Sequence, residues 1–212
     1  MFIQQLFAAP ALFIAHVLMV VFSICCHEYA HAWVALKQGD RTAADAGHLT
    51  LNPMVQMGPM SLIMLLICGI AWGAVPVRPD RMRHHYSHAL VSFAGPAMNL
   101  LLAVGFTLGC TVMVARFGQD SVYANYLFRG AVMNIVLALF NLLPVPPLDG
   151  WTVLSFFFPR LAQTNSELRN ASLFILLIGF MVVSDKVFRA AEMVVGLMVS
   201  IPLALFQGLT GG

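Results

Sequence analysis

Charge is what this sequence has least of. Its 212 residues include eleven Lys or Arg and nine Asp or Glu, 9% in all, against 60% hydrophobic residues. Soluble domains ordinarily run to about 25% charged. So few ionised groups cannot coat a water-facing surface, which excludes a soluble globule and a disordered chain. A net charge of +2 provides no footprint for a polyanion, so no nucleic-acid partner is expected. Cysteine is scarce as well. Cys25, Cys26, Cys68 and Cys110 lie in apolar runs without a CxxC pair, which excludes a disulfide framework and reads as small buried thiols. A basic stretch ahead of the first apolar run is also missing. That run, Leu6 to Cys26, is about 20 residues, long enough to cross a bilayer rather than to act as a cleaved signal. The remaining class is an integral membrane protein embedded in a lipid bilayer.

Six apolar runs are separated by polar or Gly/Pro-rich breaks. The first spans about 6–36. The polar stretch GDRTAADAGHLTLNP (39–53) follows. The second, Met57–Val75, is interrupted by Gly58-Pro59, Gly69 and Gly73. A basic connector, Arg78 to His88, leads to the third, Ala89–Ala115. The fourth, about Tyr126–Leu143, breaks in LLPVPPLDG (142–150), and shorter runs cover Ala171–Val183 and Val187–Phe206. No internal repeat or low-complexity tract appears. The expected fold is one all-α membrane domain over 1–212, a bundle of five to six transmembrane segments. It would have a re-entrant or β-like segment after the first helix, a catalytic core over about 7–160 and C-terminal helices over about 168–207.

The basic residues argue for re-entry. If every run crosses, they divide almost evenly between the two faces. If Met57–Val75 instead dips in and returns, then Lys37, Arg41, Arg78, Arg81, Arg83, Arg160 and Arg169 share a face, seven of the eleven. The excess of Lys and Arg on cytoplasmic loops places that face inside. Non-helical backbone at membrane depth must then be enclosed by protein or line a wet cavity.

The chemistry begins at the end of the first run, His27-Glu28-Tyr29-Ala30-His31. Residues four apart differ by 40° around a helix, so both imidazoles reach one metal ion. Glu28, one step round, stands beside it, placed to take a proton from a metal-bound water. Three such groups in an otherwise uncharged run are costly unless used. A catalytic zinc needs a third protein ligand. Most acidic residues sit in polar connectors or near the ends of runs, whereas Asp149 directly follows the fourth run. Pro144, Pro146 and Pro147 should hold the chain extended there, letting the carboxylate project towards the histidines.

HEYAH, GDRTAADAGHLTLNP, FAGPAMN (93–99) and NLLPVPPLDG (141–150) together resemble the site-2 protease family, and within it the short bacterial branch without a PDZ domain. The resemblance covers roughly 15–160. It implies an intramembrane zinc metalloendopeptidase with one Zn2+ per chain, held by His27, His31 and Asp149. Glu28 would be the general base and acid, and Asn141 would hold the substrate or transition state. It also implies regulated cleavage of single-pass membrane proteins, in a bacterial cytoplasmic membrane. With HEYAH close to the Lys37 end of the first run, zinc would lie nearer the cytoplasmic face. Two departures are visible: His48 where the branch commonly has Arg, and MVQMGP after Asn52-Pro53 where a His and an Asp are common. Substrate held by strand addition would find edges near Gly47–Pro53 or Val75–Val77. Other readings are a membrane zinc-binding or transport protein and an inactive protease-like adaptor. His84, His85 and His88 read as an interfacial stretch, and His16 as a packing histidine. Asn99 and Asn134, inside apolar runs, read as interhelical hydrogen-bonding residues.

Overall fold

A computed structural model describes residues 4–163 and 166–210. All regular structure in these residues is helical. A short α1 (Gln4–Ala8) precedes α2 (Pro10–Lys37), α3 (Thr42–Asp45), α4 (Pro53–Gln56) and α5 (Gly58–Cys68). The long α6 (Ser87–Phe117) and α7 (Val122–Asn141) follow, then α8 (Asp149–Phe157) and α9 (Ser166–Thr210). Boundaries fall where side chains dictate them. Pro10 sits in the first turn of α2, where its missing N–H costs nothing. The Asn52 side chain caps α4 by accepting from Met54 N–H at 2.9 Å.

Among the described residues, four helical stretches are long and apolar enough to cross a membrane: Pro10–Lys37, Ser87–Phe117, Val122–Asn141 and Val182–Ala204. The protein is an all-α, multi-pass membrane protein, as expected. Among the described residues these candidate spans are fewer than the five to six segments expected, for two reasons. The second apolar run forms only α5, whose eleven residues reach about 16 Å at 1.5 Å each, half of a hydrocarbon core about 30 Å thick. The last two runs are one continuous helix, α9. Asp185 and Lys186 lower the local hydropathy but, unlike Gly or Pro, do not interrupt the backbone ladder.

Re-entry is visible in the contacts. Gln38 O, just past α2, accepts from Arg83 N–H at 2.8 Å, and Asp40 Oδ2 accepts from Arg78 N–H at 2.6 Å. The chain therefore enters at α4, descends through α5 and returns to the end of α2 it left. The return, residues 70–78, is neither helical nor paired as a strand among the described residues, and Arg78 at its end is extended. The other expected edge, Gly47–Pro53, is folded over instead. Gln56 Nε2–H donates to the carbonyls of His48 (2.8 Å) and Thr50 (2.5 Å), which curls the segment back on α4.

α6 packs between α2 and α7, and α9 closes over α6 and α7. Large side chains such as Leu18, Leu101, Leu108, Val182 and Met193 are exposed to lipid, while Ser23, His27, Asn99 and Asn134 are buried. This is the polarity of a bundle whose solvent is hydrocarbon. Alanines 30, 32, 35, 103, 131 and 138 are buried at the contacts and let backbones approach closely.

Re-entry is tested by labelling. In a Cys68→Ser background, Asp45→Cys, Asp80→Cys and Asp120→Cys variants are treated with a membrane-impermeant maleimide in sealed vesicles. Positions 45 and 80 should react from one face and 120 from the other; reaction of 45 and 80 from opposite faces, with 120 on the side of 45, refutes it.

Candidate active site

α2 delivers both histidines to its inner face, with His27 6% and His31 8% exposed. Each ring nitrogen has a distinct task. His27 Nδ1–H donates to Asn99 Oδ1 (2.5 Å) and His31 Nδ1–H to the Val91 carbonyl (2.7 Å). Both acceptors come from α6, and since neither can donate to a ring nitrogen, both Nε2 atoms are left with bare lone pairs. These two atoms lie 3.0 Å apart, and Asp149 Oδ2 lies 3.2 Å from one and 3.3 Å from the other. Three lone-pair donors this close repel one another unless a cation lies among them. Tetrahedral zinc with bonds of about 2.0–2.1 Å wants its donors about 3.3 Å apart. The donor set fits zinc. Among the described residues it is the sole cluster of three or more His, Cys, Asp or Glu side chains with such convergence.

Behind His27 a buried chain of hydrogen bonds crosses three spans. Asn99 Nδ2–H donates to Asn134 Oδ1 (2.9 Å), and Asn134 Nδ2–H donates to Ser23 Oγ and the Gly130 carbonyl, both at 2.9 Å. Asn99 and Asn134 are wholly buried. The interhelical bonding expected of them is present, and it terminates on a zinc-site histidine. α6 comes this near because residue 95 is glycine. A β-carbon there would collide with the Nε2 atoms of both histidines. The next residue, Pro96, lacks the N–H that would bond the Ser92 carbonyl, so the turn facing the site is also freed of one backbone bond.

Asp149 arrives differently from expectation. The prolines do not present it on an extended strand; it opens the first turn of α8. Gly150 lies directly against the carbonyls of Leu142 and Leu143, so the loop 142–148 folds tightly enough to bring α8 back over the site. Asn141, the last residue of α7, donates through Nδ2–H to its own helix at Leu137 O (2.9 Å) and lines the same cavity.

That cavity, about 690 Å3, is bounded by His27, Glu28, His31, Asn141 and Asp149 on one side and by residues 70–75 and Val77 on the other. Glu28 is 8% exposed, and Gly73 passes so near its carboxyl that no β-carbon would fit. The returning segment is tied down along one edge. Ser61 Oγ–H donates to Trp72 O (2.6 Å) and Ser61 Oγ accepts from Trp72 N–H (2.9 Å). Ala74 N–H donates to Gln56 O (3.1 Å), and Arg78 N–H to Asp40. Burial opposes ionisation of Asp40, but hydrogen bonds from the Thr42 hydroxyl, Arg78 N–H and Thr42 N–H hold its carboxyl below the usual carboxylate range. It is therefore a charged anchor at neutral pH. Neighbouring residues of an extended chain aim their amides at opposite edges. Those of Gly73, Val75 and Val77 carry no hydrogen bond among the described residues.

The sequence-expected site residues His27, Glu28, His31, Asn141 and Asp149 all meet in this cavity. His84, His85 and His88 make no metal cluster. His84 stacks on Tyr86 and His85 on Phe156, as an interfacial stretch would. The two departures in the connector meet each other through His48 Nδ1 and Gln56 Oε1 (3.4 Å). Sequence reasoning assigns no role to Gly73, Ser61 or Asp40, and reads Gly95 only as permitting close helix approach. Each is a small or locally bonded residue whose importance lies in what another element brings against it.

The model of Peptidase family M50 matches residues 107–184, the stretch holding Asn141 and Asp149. The chain is 37% identical over 174 residues to "Putative zinc metalloprotease YwhC" of Bacillus subtilis, covering 76% of this chain and 78% of that protein. It is 37% identical over 138 residues to "Putative zinc metalloprotease Rip2" of Mycolicibacterium smegmatis, covering 62% of this chain and about half (52%) of that one. It is 30% identical over 147 residues to "Putative zinc metalloprotease MJ0611" of Methanocaldococcus jannaschii, covering 68% and 71%. No solved structure matches.

Two substitutions test the geometry through zinc content. Gly95→Ala should raise helix propensity by up to about 1 kcal/mol yet abolish stoichiometric zinc; full zinc loading would show that α6 does not confine the histidines. Asn99→Leu should weaken zinc binding by about ten- to a hundredfold, and an unchanged Kd in a chelator competition removes Asn99 from the site's support.

Proposed function

The chain belongs to peptidase family M50, the site-2 proteases, as a membrane-embedded zinc metalloprotease, and on that footing we propose that it is an intramembrane endopeptidase acting on single-pass membrane proteins. What carries the reading is one arrangement: His27, His31 and Asp149 converge within a cavity that also holds Glu28 and a free backbone edge. Zinc bound by these three residues supplies a Lewis acid that polarises the scissile carbonyl and makes water acidic enough to ionise near neutral pH.

The protein's own groups do the rest. The Glu28 carboxylate, buried beside the ligands, takes the proton of the attacking water and returns it to the leaving amine. Asn99 and the Val91 carbonyl hold the imidazoles in the tautomer that presents Nε2. Asn141, at the cavity wall, is placed to donate a hydrogen bond to the substrate backbone.

A transmembrane substrate hides its carbonyls within its own helix, so it must unwind before attack. Unwinding in hydrocarbon strands amides at several kcal/mol each. The vacant amides of Gly73, Val75 and Val77 support replacing those bonds by strand addition, directly across the cavity from the donor triad. The compact donor set, with a proton acceptor beside it, favours hydrolysis over transport, which needs ligands spaced along a path. The intact Glu28 favours an active enzyme over an adaptor. The positive-inside split supports a cytoplasmic side for the zinc-side loops, in what we read as a bacterial cytoplasmic membrane.

Glu28→Gln should keep one zinc per chain and lose cleavage of a reconstituted single-pass substrate by about a hundredfold to ten-thousandfold; a zinc-loaded, active variant refutes the base assignment. Val75→Pro, which deletes one donor from the vacant edge, should lower cleavage at unchanged zinc content. Equal cleavage would dismiss strand addition there.

A further inference from the structure

A second polar cavity lies at the other end of α2. It has a volume of about 180 Å3 and is lined by His16 of α2 and by Tyr126 and Arg129 of α7. Ala8 and Ala9, at the break between α1 and α2, form its small-residue rim, and its remaining lining side chains are apolar. Its depth follows from the bond between Ser23 and Asn134. From that level His16 lies seven residues back along α2, about 10 Å, while Arg129 and Tyr126 lie five and eight residues back along α7, about 8 and 12 Å. α2 and α7 run parallel, each packing against the antiparallel α6, so all three side chains sit at one height. That height is in the half of the membrane away from His31 and Asp149.

Arg129 is a fixed positive charge inside a membrane-spanning helix, and among the described residues no acidic side chain pairs with it. The lining contains no carboxylate. Such a charge is expensive in hydrocarbon and marks a site by default. Arg129 lies about 10 Å along α7 from Val122, and its long stem can carry the guanidinium outwards along the apolar wall. The anions such a guanidinium reaches at the bilayer surface are headgroup phosphates. A planar fork of N–H donors matches phosphate oxygens in pairs, and the Tyr126 hydroxyl and His16 imidazole line the same space. The cavity has room for roughly six water-sized groups.

We propose that this cavity binds a phosphate group, that of a phospholipid headgroup in the leaflet opposite the zinc, with Arg129 as the principal ligand. The site stands apart from the proteolytic reading, and its test reads no cleavage. Purified full-length protein in neutral detergent is titrated with phosphatidylglycerol, with diacylglycerol of the same chains, and with inorganic phosphate, and binding is followed by native mass spectrometry. Wild type should hold phosphatidylglycerol about tenfold more tightly than Arg129→Gln, with diacylglycerol not retained. Arg116→Gln, at the end of α6 and outside the cavity, should match wild type. Inorganic phosphate bound with the same dependence on Arg129, and without preference for the lipid, keeps the site but assigns it to the free anion. Equal retention of phosphatidylglycerol by wild type and Arg129→Gln, or equal binding of diacylglycerol, overturns the proposal. Should Arg129→Gln fail to fold by thermal unfolding in detergent, Arg129→Lys keeps the charge without the fork; wild-type affinity in that variant would remove the paired-oxygen recognition on which the proposal rests.

Discussion

Where water is excluded, a polar side chain must find its partner inside the protein, and most of this molecule follows from how His27 finds Asn99. That hydrogen bond assigns the tautomer that frees Nε2, and it does so only because α6 lies almost against α2 at Gly95. Once Asn99 is committed through its oxygen, its amide needs an acceptor. Asn134 supplies one and in turn needs Ser23 and the Gly130 carbonyl. Each link satisfies a group whose burial alone would cost several kcal/mol. The helix order around the site is thus set by an unbroken chain of donors and acceptors, with alanines permitting the approach.

The same constraint explains the returning segment. Backbone at membrane depth without a helix must have its amides met by something. Along one edge of residues 72–78 they are met by Ser61 of α5, the Gln56 carbonyl of α4 and Asp40 of the connector after α2. The other edge opens on the catalytic cavity. Under the proposed function, a substrate helix entering there would exchange its internal bonds for this edge, so that the cost of unfolding would be offset next to the donor triad. A fully paired segment there would leave no free donors for such an exchange.

Much of the site was legible in the sequence because its ligands are charged residues in a chain that has almost none. HEYAH announces itself by spacing alone, and Asp149 by following an apolar run directly. The mounting of Asp149 was not legible: three prolines suggest an extended carrier, whereas the tight approach of Gly150 to the Leu142 and Leu143 carbonyls starts a helix instead. The continuity of the last helix was not legible for a related reason. Hydropathy falls at Asp185 and Lys186, but falling hydropathy is not a helix stop, and α9 runs through. Gly95 reads from sequence as a close-packing glycine, but neither what it packs against nor the need for Gly73 is readable locally, because each is met by a side chain brought from α2.

One bond joins the two ends of the molecule. The Ser23–Asn134 contact closes the chain that positions His27, and it also sets the height of α2 against α7. Moving α7 by one turn, about 5.4 Å, would break the link to Asn99 and would also part His16 from Tyr126 and Arg129. The register that serves the metal site therefore assembles the cationic cavity in the far leaflet. A group held there restrains α7 relative to α2, and through Asn134 it restrains the side chain behind His27. Conversely, a shift of α7 that loosens Asn134 must loosen both sites. The mid-membrane layer of Ser23, Asn99 and Asn134 is thus a mechanical link between two polar centres that share no residue.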